Sequence, residues 1–352
     1  MSKTVFVAIS GGVDSAAAAI LLKERGYNVR GVTLRLKPHN LADKDIEDAQ
    51  AVAHTLNIPL DVLDMRDEFK KVTDYFCNEY LEGRTPNPCV MCNPNVKLGK
   101  LLEYTLEQGG DLLATGHYAN IIKDDKGVYY IKRNPSSKDQ SYFLCGLNQH
   151  ILSHVIFPIA DLSKPEIRQL ASDNNIPVAE KKDSQEVCFI PDNDYISFIE
   201  REFNPKATPG DFLSSSGEKL GTHSGIYKYT IGQRKGLGIA LGKPVFVYGV
   251  DPAKNQVRLC DNQALFQTKL YAGNLSHMAY EKFEDGMRFQ AKIRYAHKAA
   301  WCTVKMIGED ILEVTFDEPQ RAITPGQSLV LYDGEYVAGG GFVLAESDVK
   351  NL

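Results

Sequence analysis

The sequence predicts a doubly wound parallel α/β sheet in the amino-terminal part, followed by a small central β-rich domain and a carboxy-terminal β-barrel. Three observations carry this reading. Over the first half, apolar strand-like runs alternate with amphipathic stretches, the pattern of βαβ units. A glycine-rich turn, Ser10 to Ser15, joins the first of these strands to the first helix. From about Pro205 the texture changes to short alternating runs split by glycine turns, such as KPVFVYGV, RFQAKIRY and SLVLYDGEYVAGGGFV, as in small barrels.

In order, Thr4 to Ser10 reads as a buried strand and Ala16 to Arg25 as a helix stopped by Gly26. A strand over Val29 to Leu36, a helix over Asp43 to Leu56, a strand over Leu60 to Asp64 and a helix over Glu68 to Leu81 follow. Gly83 to Asn95 (GRTPNPCVMCNPN) carries three prolines and reads as a loop. A helix over Val96 to Gln108, a short strand over Leu112 to Thr115 and a hairpin over Ile121 to Lys132 complete the α/β part. With 352 residues the chain accommodates two or three domains, placed at 1–204, 205–270 and 271–352.

Composition narrows the function classes. No run approaches the roughly 20 apolar residues needed to span a bilayer, and MSKTVFVAISGG lacks a signal-peptide pattern, so a cytoplasmic protein without membrane contact is expected. Seven cysteines, an odd count in a reducing compartment, argue against a structural disulfide framework. Their spacing matters more: Cys89 and Cys92 form a CxxC among Pro86, Pro88 and Pro94. A net charge of -5 gives no global attraction to nucleic acid, so an RNA site must be a local basic patch. Arg234 with Lys235, and Lys292, Arg294, His297 and Lys298, are the candidates.

Ser10-Gly11-Gly12-Val13-Asp14-Ser15 lies between strand and helix, where unpaired N–H groups and the helix dipole attract an anion. Asp14 could hold a magnesium ion there. No Walker A pattern occurs, and GIALGKP (238–244) fails in spacing. A capped glycine turn is the bland alternative. SGGVDS after an apolar strand resembles the PP-loop of the ATP pyrophosphatases, whose fold is the adenine nucleotide alpha hydrolase type and which adenylate a carbonyl oxygen. That resemblance implies ATP contacts from Ala8, Ile9, Ser10, Gly11, Gly12, Val13, Asp14, Ser15, Leu34 and Gly116. Core packing for Leu34 and a plain turn for Gly116 compete with it.

TPNPCVMCN and DSQEVCFIP closely resemble the two cysteine motifs of the bacterial tRNA-specific 2-thiouridylases, and YTIGQRKGLG (229–238) is characteristic of them. The resemblance implies ATP-dependent 2-thiolation of the wobble uridine in the anticodon stem-loop of tRNA, with a sulfur-donor or sulfur-relay protein as a further partner. It gives Cys92 the nucleophile or resolving role and Cys188 the persulfide, the pair forming a reversible disulfide, and it sets Asn87, Pro88 and Cys89 at the target base. His117, Lys138, Asp139, Gln140, Arg294, Tyr295 and Gln327 match tRNA-facing positions. The chemistry agrees: a urea-like C2 oxygen must be activated by adenylation, then displaced by sulfur carried on one thiol and released by a second. Cys89 departs from relatives that carry Asp there. Cys89, Cys92 and Cys188 could instead ligate an iron-sulfur cluster; zinc lacks a fourth ligand. Cys77, Cys145, Cys260 and Cys302 read as small buried hydrophobes. The rivals are an AMP-forming ligase on the same loop, which would not need Cys92 or Cys188, and a non-catalytic tRNA-binding or redox protein, which would leave SGGVDS without purpose.

Overall fold

The computed structural model describes residues 2–37, 39–136, 138–181, 187–190 and 192–349. It divides into two compact units: Met1–Val72 with Cys89–Phe189 and Glu335–Val337, and Thr73–Pro88 with Ile190–Gly334 and Ala338–Leu352. Up to residue 173 the elements run β1 (Thr4–Ala8), α1 (Val13–Glu24), β2 (Asn28–Arg35), α2 (His39–Thr55), β3 (Leu60–Asp64), α3 (Arg66–Leu81), α4 (Pro88–Cys92), a π-helical segment (Asn93–Lys100), α5 (Leu101–Glu107), β4 (Leu112–Ala114), β5 (Asn120–Lys123), β6 (Tyr129–Lys132), α6 (Gln149–His154), β7 (Val155–Ile156) and α7 (Lys164–Asp173).

In the first unit the parallel sheet has the order β3-β2-β1-β4-β7, so the expected doubly wound sheet is present. Val5, Phe6 and Val7 of β1 are wholly buried, as a strand covered on both faces requires. Each contributes about 1.5–3 kcal/mol of burial. Helix α1 is buried on nearly every side, and the run Ala16 to Ala19 lets it lie close on the sheet and against Ile167 and Ala171 of α7. Strand order reverses between β1 and β4, which opens a crevice at the carboxyl ends of those two strands. The hairpin is β5 with β6, its turn held by the Asp124 carboxylate accepting the N–H groups of Lys126 and Val128 at 2.9 and 2.8 Å.

The expected loop around the CxxC is instead helical. Pro88 opens α4 and Pro94 sits in the first turn of the π-helical segment. Pro88 starts the helix, where its missing N–H has no intrahelical partner anyway, while Pro94 lies within the continuous run and its missing N–H is accommodated by the widened π turn. Gly99 makes the widened turn feasible: a Cβ there would lie 2.2 Å from the Pro94 carbonyl oxygen. Cys89 and Cys92, three residues apart on α4, therefore share one helical face.

The second unit contains α8 (Tyr195–Phe203) and a four-stranded sheet ordered β10-β11-β8-β9, from β8 (Gly210–Leu213), β9 (Lys219–His223), β10 (Phe246–Asp251) and β11 (Gln256–Cys260). Beyond it come β12 (Phe266–Ser276), β13 (Arg288–Lys292), β14 (Ala300–Gly308), β15 (Ile311–Arg321), β16 (Ser328–Asp333) and β17 (Tyr336–Val343). Their order is β12-β15-β14-β13-β16-β17, and β12 pairs back to β17, with Ala272 opposite Val343. Six antiparallel strands thus close into the expected barrel. Alternate residues such as Cys302, Val304, Leu312, Val314 and Phe316 fill its interior.

The aromatic residues of the segment 227–239 do not form an RNA surface. Tyr229 and Leu237 pack with Phe212, Val247 and Val257 in the core of the small sheet. Tyr227 is buried with its hydroxyl donating to Glu200 at 2.8 Å. Aromatic and basic residues interleave there because one set faces inward, leaving Arg234 and Lys235 exposed.

Gly99→Ala should cost about 1–3 kcal/mol, since the new methyl meets a backbone carbonyl with no room to yield. The urea midpoint of the full-length protein measures it, and an unshifted midpoint would show that the π-turn relaxes freely.

Candidate active site

The turn after β1 is organised before any ligand arrives. Ser15 donates its hydroxyl to the Gly12 carbonyl at 3.0 Å and accepts the Ser10 N–H at 3.1 Å, while the Ser10 and Ser15 hydroxyl oxygens lie 3.3 Å apart. The N–H groups of Gly11, Gly12 and Val13 find no acceptor among the described residues. They sit at the start of the 12-residue helix α1, where unpaired donors and the helix dipole favour an anion. Gly116, just after β4, presses on this turn from the neighbouring strand. A Cβ there would lie 2.9 Å from the Asp14 carbonyl carbon and 3.0 Å from the Ser15 nitrogen. Ala8 ends β1, Ile9 is buried behind the turn, and Leu34 lies in β2 opposite Leu63 of β3.

Two lysines that the sequence reading missed reach the same turn. Lys164, at the start of α7, donates to the Asp14 carboxylate at 2.8 Å, and Tyr118 donates its hydroxyl to the same oxygen at 2.7 Å. Lys181 donates to the Gly11 carbonyl at 3.1 Å and to Asp48 at 2.7 Å. A capping arrangement marks the start of α7, with the Glu166 carboxylate accepting the Ser163 N–H at 2.7 Å. That pattern reveals a helix, but nothing in the spacing connects Lys164 to a turn 150 residues earlier.

The thiols form a second cluster in the same unit. Cys92 is buried and Cys89 partly buried, while Cys188 is exposed in a turn whose next residue, the buried Phe189, packs edge-on against Phe69 at 5.6 Å. Residues 183–186 and 191 of the second cysteine motif lie outside the described residues. Burial raises the Cys92 thiol to about 11; the Lys97 ammonium opposes that rise, and the Cys188 and Cys89 thiols add to it. Cys89 is raised by the same burial, against Lys97 and with Cys188. All three thiols therefore share one electrostatic neighbourhood. His117, hydrogen-bonded to Thr115 at 2.7 Å and set against Phe157, belongs to it too: burial, then Lys97, lowers its imidazole to about 3.

All seven cysteines are free, with Cys92 buried on a helix and Cys188 exposed in a separate turn, the reduced form of the expected reversible pair. One expectation about the thiols needs correction: the cysteines do not assemble a cluster ligand set, because among the described residues no three His, Cys, Asp or Glu side chains converge to hold a metal. Cys77, Cys145, Cys260 and Cys302 are buried, as expected.

Several residues matched to tRNA-facing positions spend their polar groups inside the chain. Asp139 accepts the N–H groups of Asn134 and Ser141 and the Ser141 hydroxyl, at 3.0, 3.2 and 2.8 Å. Gln140 accepts the Tyr118 N–H at 3.0 Å. Arg294 donates to the carbonyls of Ile231 and Ala322 and to the Thr324 hydroxyl. Gln327 donates to the Thr85 carbonyl at 2.9 Å, holding the stretch that leads to Asn87 and Pro88. Lys138 is exposed, and Tyr295 is 39% exposed with the Lys292 ammonium 5.5 Å from its ring centroid.

Known proteins are similar to this chain over nearly its whole length. The chain is 45% identical to the tRNA-specific 2-thiouridylase MnmA of Lachnoclostridium phytofermentans, over 97% of this chain and 99% of that protein. It belongs to the tRNA-specific 2-thiouridylase family. The counterpart from Clostridioides difficile is 44% identical over 97% and 98% of the two chains. Within this 2-thiouridylase, the tRNA methyl transferase HUP domain model matches residues 3–192, the tRNA methyl transferase PRC-barrel domain model 196–261, and the aminomethyltransferase beta-barrel domain model 267–343. A solved 4-thiouridine synthetase in complex with RNA and ATP aligns with 56% of this chain and 50% of that one at 17% identity, but its TM-score of 0.38 is too low to carry an argument. The PP-loop of the family is an ATP site, and among the described residues no helix is long and apolar enough to cross a membrane.

Gly116→Ala should weaken ATP binding about tenfold or more, because the methyl pushes the turn out of register at a cost of about 1–3 kcal/mol. Calorimetric titration with a non-hydrolysable analogue tests this, and unchanged affinity would show slack in the turn. A pH effect is also expected. The unfolded His117 imidazole takes up its proton near 6.5 and the folded one near 3, so the unfolded chain binds more protons in between and stability falls as pH drops through that window. Urea midpoints at two pH values inside it should diverge less in His117→Gln than in the wild type.

Proposed function

We propose that the protein replaces the C2 oxygen of the wobble uridine in tRNA anticodons with sulfur, using ATP. The observation that carries this reading is a turn of unpaired N–H groups at the sheet's reversal point together with three thiols that share one electrostatic neighbourhood in the same compact unit. The unpaired N–H groups of the turn, with Lys164 and Lys181 released from Asp14 and Asp48, would receive the triphosphate, while Ala8 to Ser15, Leu34 and Gly116 line it.

Uridine O2 then attacks the α-phosphorus, expelling pyrophosphate and leaving an adenylated C2 with AMP as leaving group. The terminal sulfur of a Cys188 persulfide attacks C2, and AMP departs with the oxygen. The Cys92 thiolate attacks the Cys188 sulfur, which frees the thiocarbonyl and joins the two cysteines as a disulfide. An external thiol reductant restores both, and a sulfur-donor or sulfur-relay protein reloads Cys188. Its exposed position supports that delivery. Asn87, Pro88 and Cys89 would border the target base, with Cys89 a neutral thiol because burial raises it. An anticodon loop presents bases that can be turned outward at modest cost.

No step runs through a metal. Asp14 is the acidic residue of the turn; its Oδ1 accepts from Tyr118 and Lys164, and with Lys164 turned to the phosphates its carboxylate would be free to hold a magnesium ion that neutralises them. The three thiols do not fit a cluster. For tRNA, Lys138 and Tyr295 supply exposed charge and a stacking face, while His117, Asp139, Gln140, Arg294 and Gln327 would act mainly through the loops they shape. The proposed domain limits at 204 and 270 fall shortly after the gaps between matched segments, at 192–196 and 261–267. A cytoplasmic location fits a mechanism that depends on reduced thiols.

Pyrophosphate release and thiouridine formation, followed together on unmodified tRNA, test the reading. Cys92→Ser and Cys188→Ser should keep tRNA-dependent pyrophosphate release while losing thiolation at least a hundredfold. Full thiolation with serine at both positions would exclude it. Pyrophosphate release that needs no tRNA would point to an AMP-forming ligase.

A further inference from the structure

Lys97 lies in the π-helical segment, five residues after Cys92. In an α-helix a residue five positions on is turned about 140° around the axis, at about 100° per residue, and would leave the cysteine face. A π-turn closes its hydrogen bonds at the fifth residue and so brings Lys97 back over that face. Lys97 accordingly acts on the Cys92 thiol, opposing the rise that burial causes. The side chain is partly buried, yet among the described residues it makes no ion pair with a carboxylate and no side-chain hydrogen bond. Among the described residues, the titratable groups that face it are the thiols of Cys92, Cys188 and Cys89 and the neutral imidazole of His117.

A partly buried ammonium without a counter-ion is costly, and burial of the thiols opposes their ionisation. Both costs fall together when one of the sulfurs carries a negative charge beside Lys97. We propose that Lys97 is the positioning cation of the sulfur site, holding whichever sulfur of Cys92 or Cys188 is anionic. Family likeness and motif spacing assign it no role. It rests on the sulfur-transfer reading for its purpose but on the lysine and the thiols for its evidence. The thiolate is the nucleophile in thiol chemistry, so a fixed cation governs how much of it is present at neutral pH.

The test is alkylation of the full-length protein by iodoacetamide, followed peptide by peptide by mass spectrometry across pH. Lys97→Met should slow Cys92 alkylation about tenfold at pH 8 and move its profile to higher pH, as expected when a thiol loses a nearby cation. Lys97→Arg should largely restore both, and Cys260, in the other unit, should not respond. If Lys97→Met does not fold, by far-ultraviolet circular dichroism, Lys97→Gln takes its place in the same measurement. An unchanged Cys92 profile in the folded variant overturns the assignment of Lys97 even if thiolation requires both cysteines. Conversely, a shifted profile in a protein that thiolates without Cys92 and Cys188 leaves the cation in place and removes the sulfur-transfer reading.

Discussion

Everything at the nucleotide end depends on the reversal of strand order between β1 and β4. Two parallel strands that send their connections in opposite directions leave a crevice at their carboxyl ends. Here one side of it is the turn Ser10 to Ser15 and the other is Gly116, packed so tightly on Asp14 and Ser15 that a methyl group has no room. The hydrophobic burial of β1 and α1 holds that geometry, and the unpaired N–H groups at the head of α1 give it a chemical use. Lys164 and Lys181 balance Asp14 and Asp48 while no phosphate is bound, so the turn carries compensated charge rather than strain.

The thiol cluster applies the opposite electrostatic principle. Carboxylates neutralise the lysines at the turn after β1, whereas Lys97 faces the Cys89 and Cys92 thiols, whose ionisation burial opposes. A site arranged this way stays neutral at sulfur until chemistry begins, and then stabilises the anion that forms. The widened helical turn that places Lys97 exists because Pro94 lacks an N–H and Gly99 lacks a Cβ. Local backbone chemistry thus sets the electrostatics of a cluster assembled from residues almost a hundred positions apart.

Arg294 and Gln327, with Asp139 and Gln140 in the first unit, are partly exposed and also use their polar atoms to tie loops to neighbouring backbone, so each shapes the surface it stands on. Tyr229 sits in a core although its surroundings read as polar and glycine-rich, because the irregular segment packs its ring against Phe212 and His223 of the small sheet.

Periodicity, glycine turns and the two cysteine motifs determined the doubly wound sheet, the closed barrel, the phosphate-binding turn and the identity of the thiols, since each is written in residues close together in the chain. The helical state of the CxxC was not legible, because three prolines nearby read as loop, whereas Pro88 starts the helix and the widened π turn accommodates Pro94. Lys164, Lys181 and Lys97 were equally hidden. A lysine's role depends on which anion it meets, and Asp14 with Lys164, like Cys92 with Cys188, are brought together by tertiary packing across spans in which sequence spacing carries no signal.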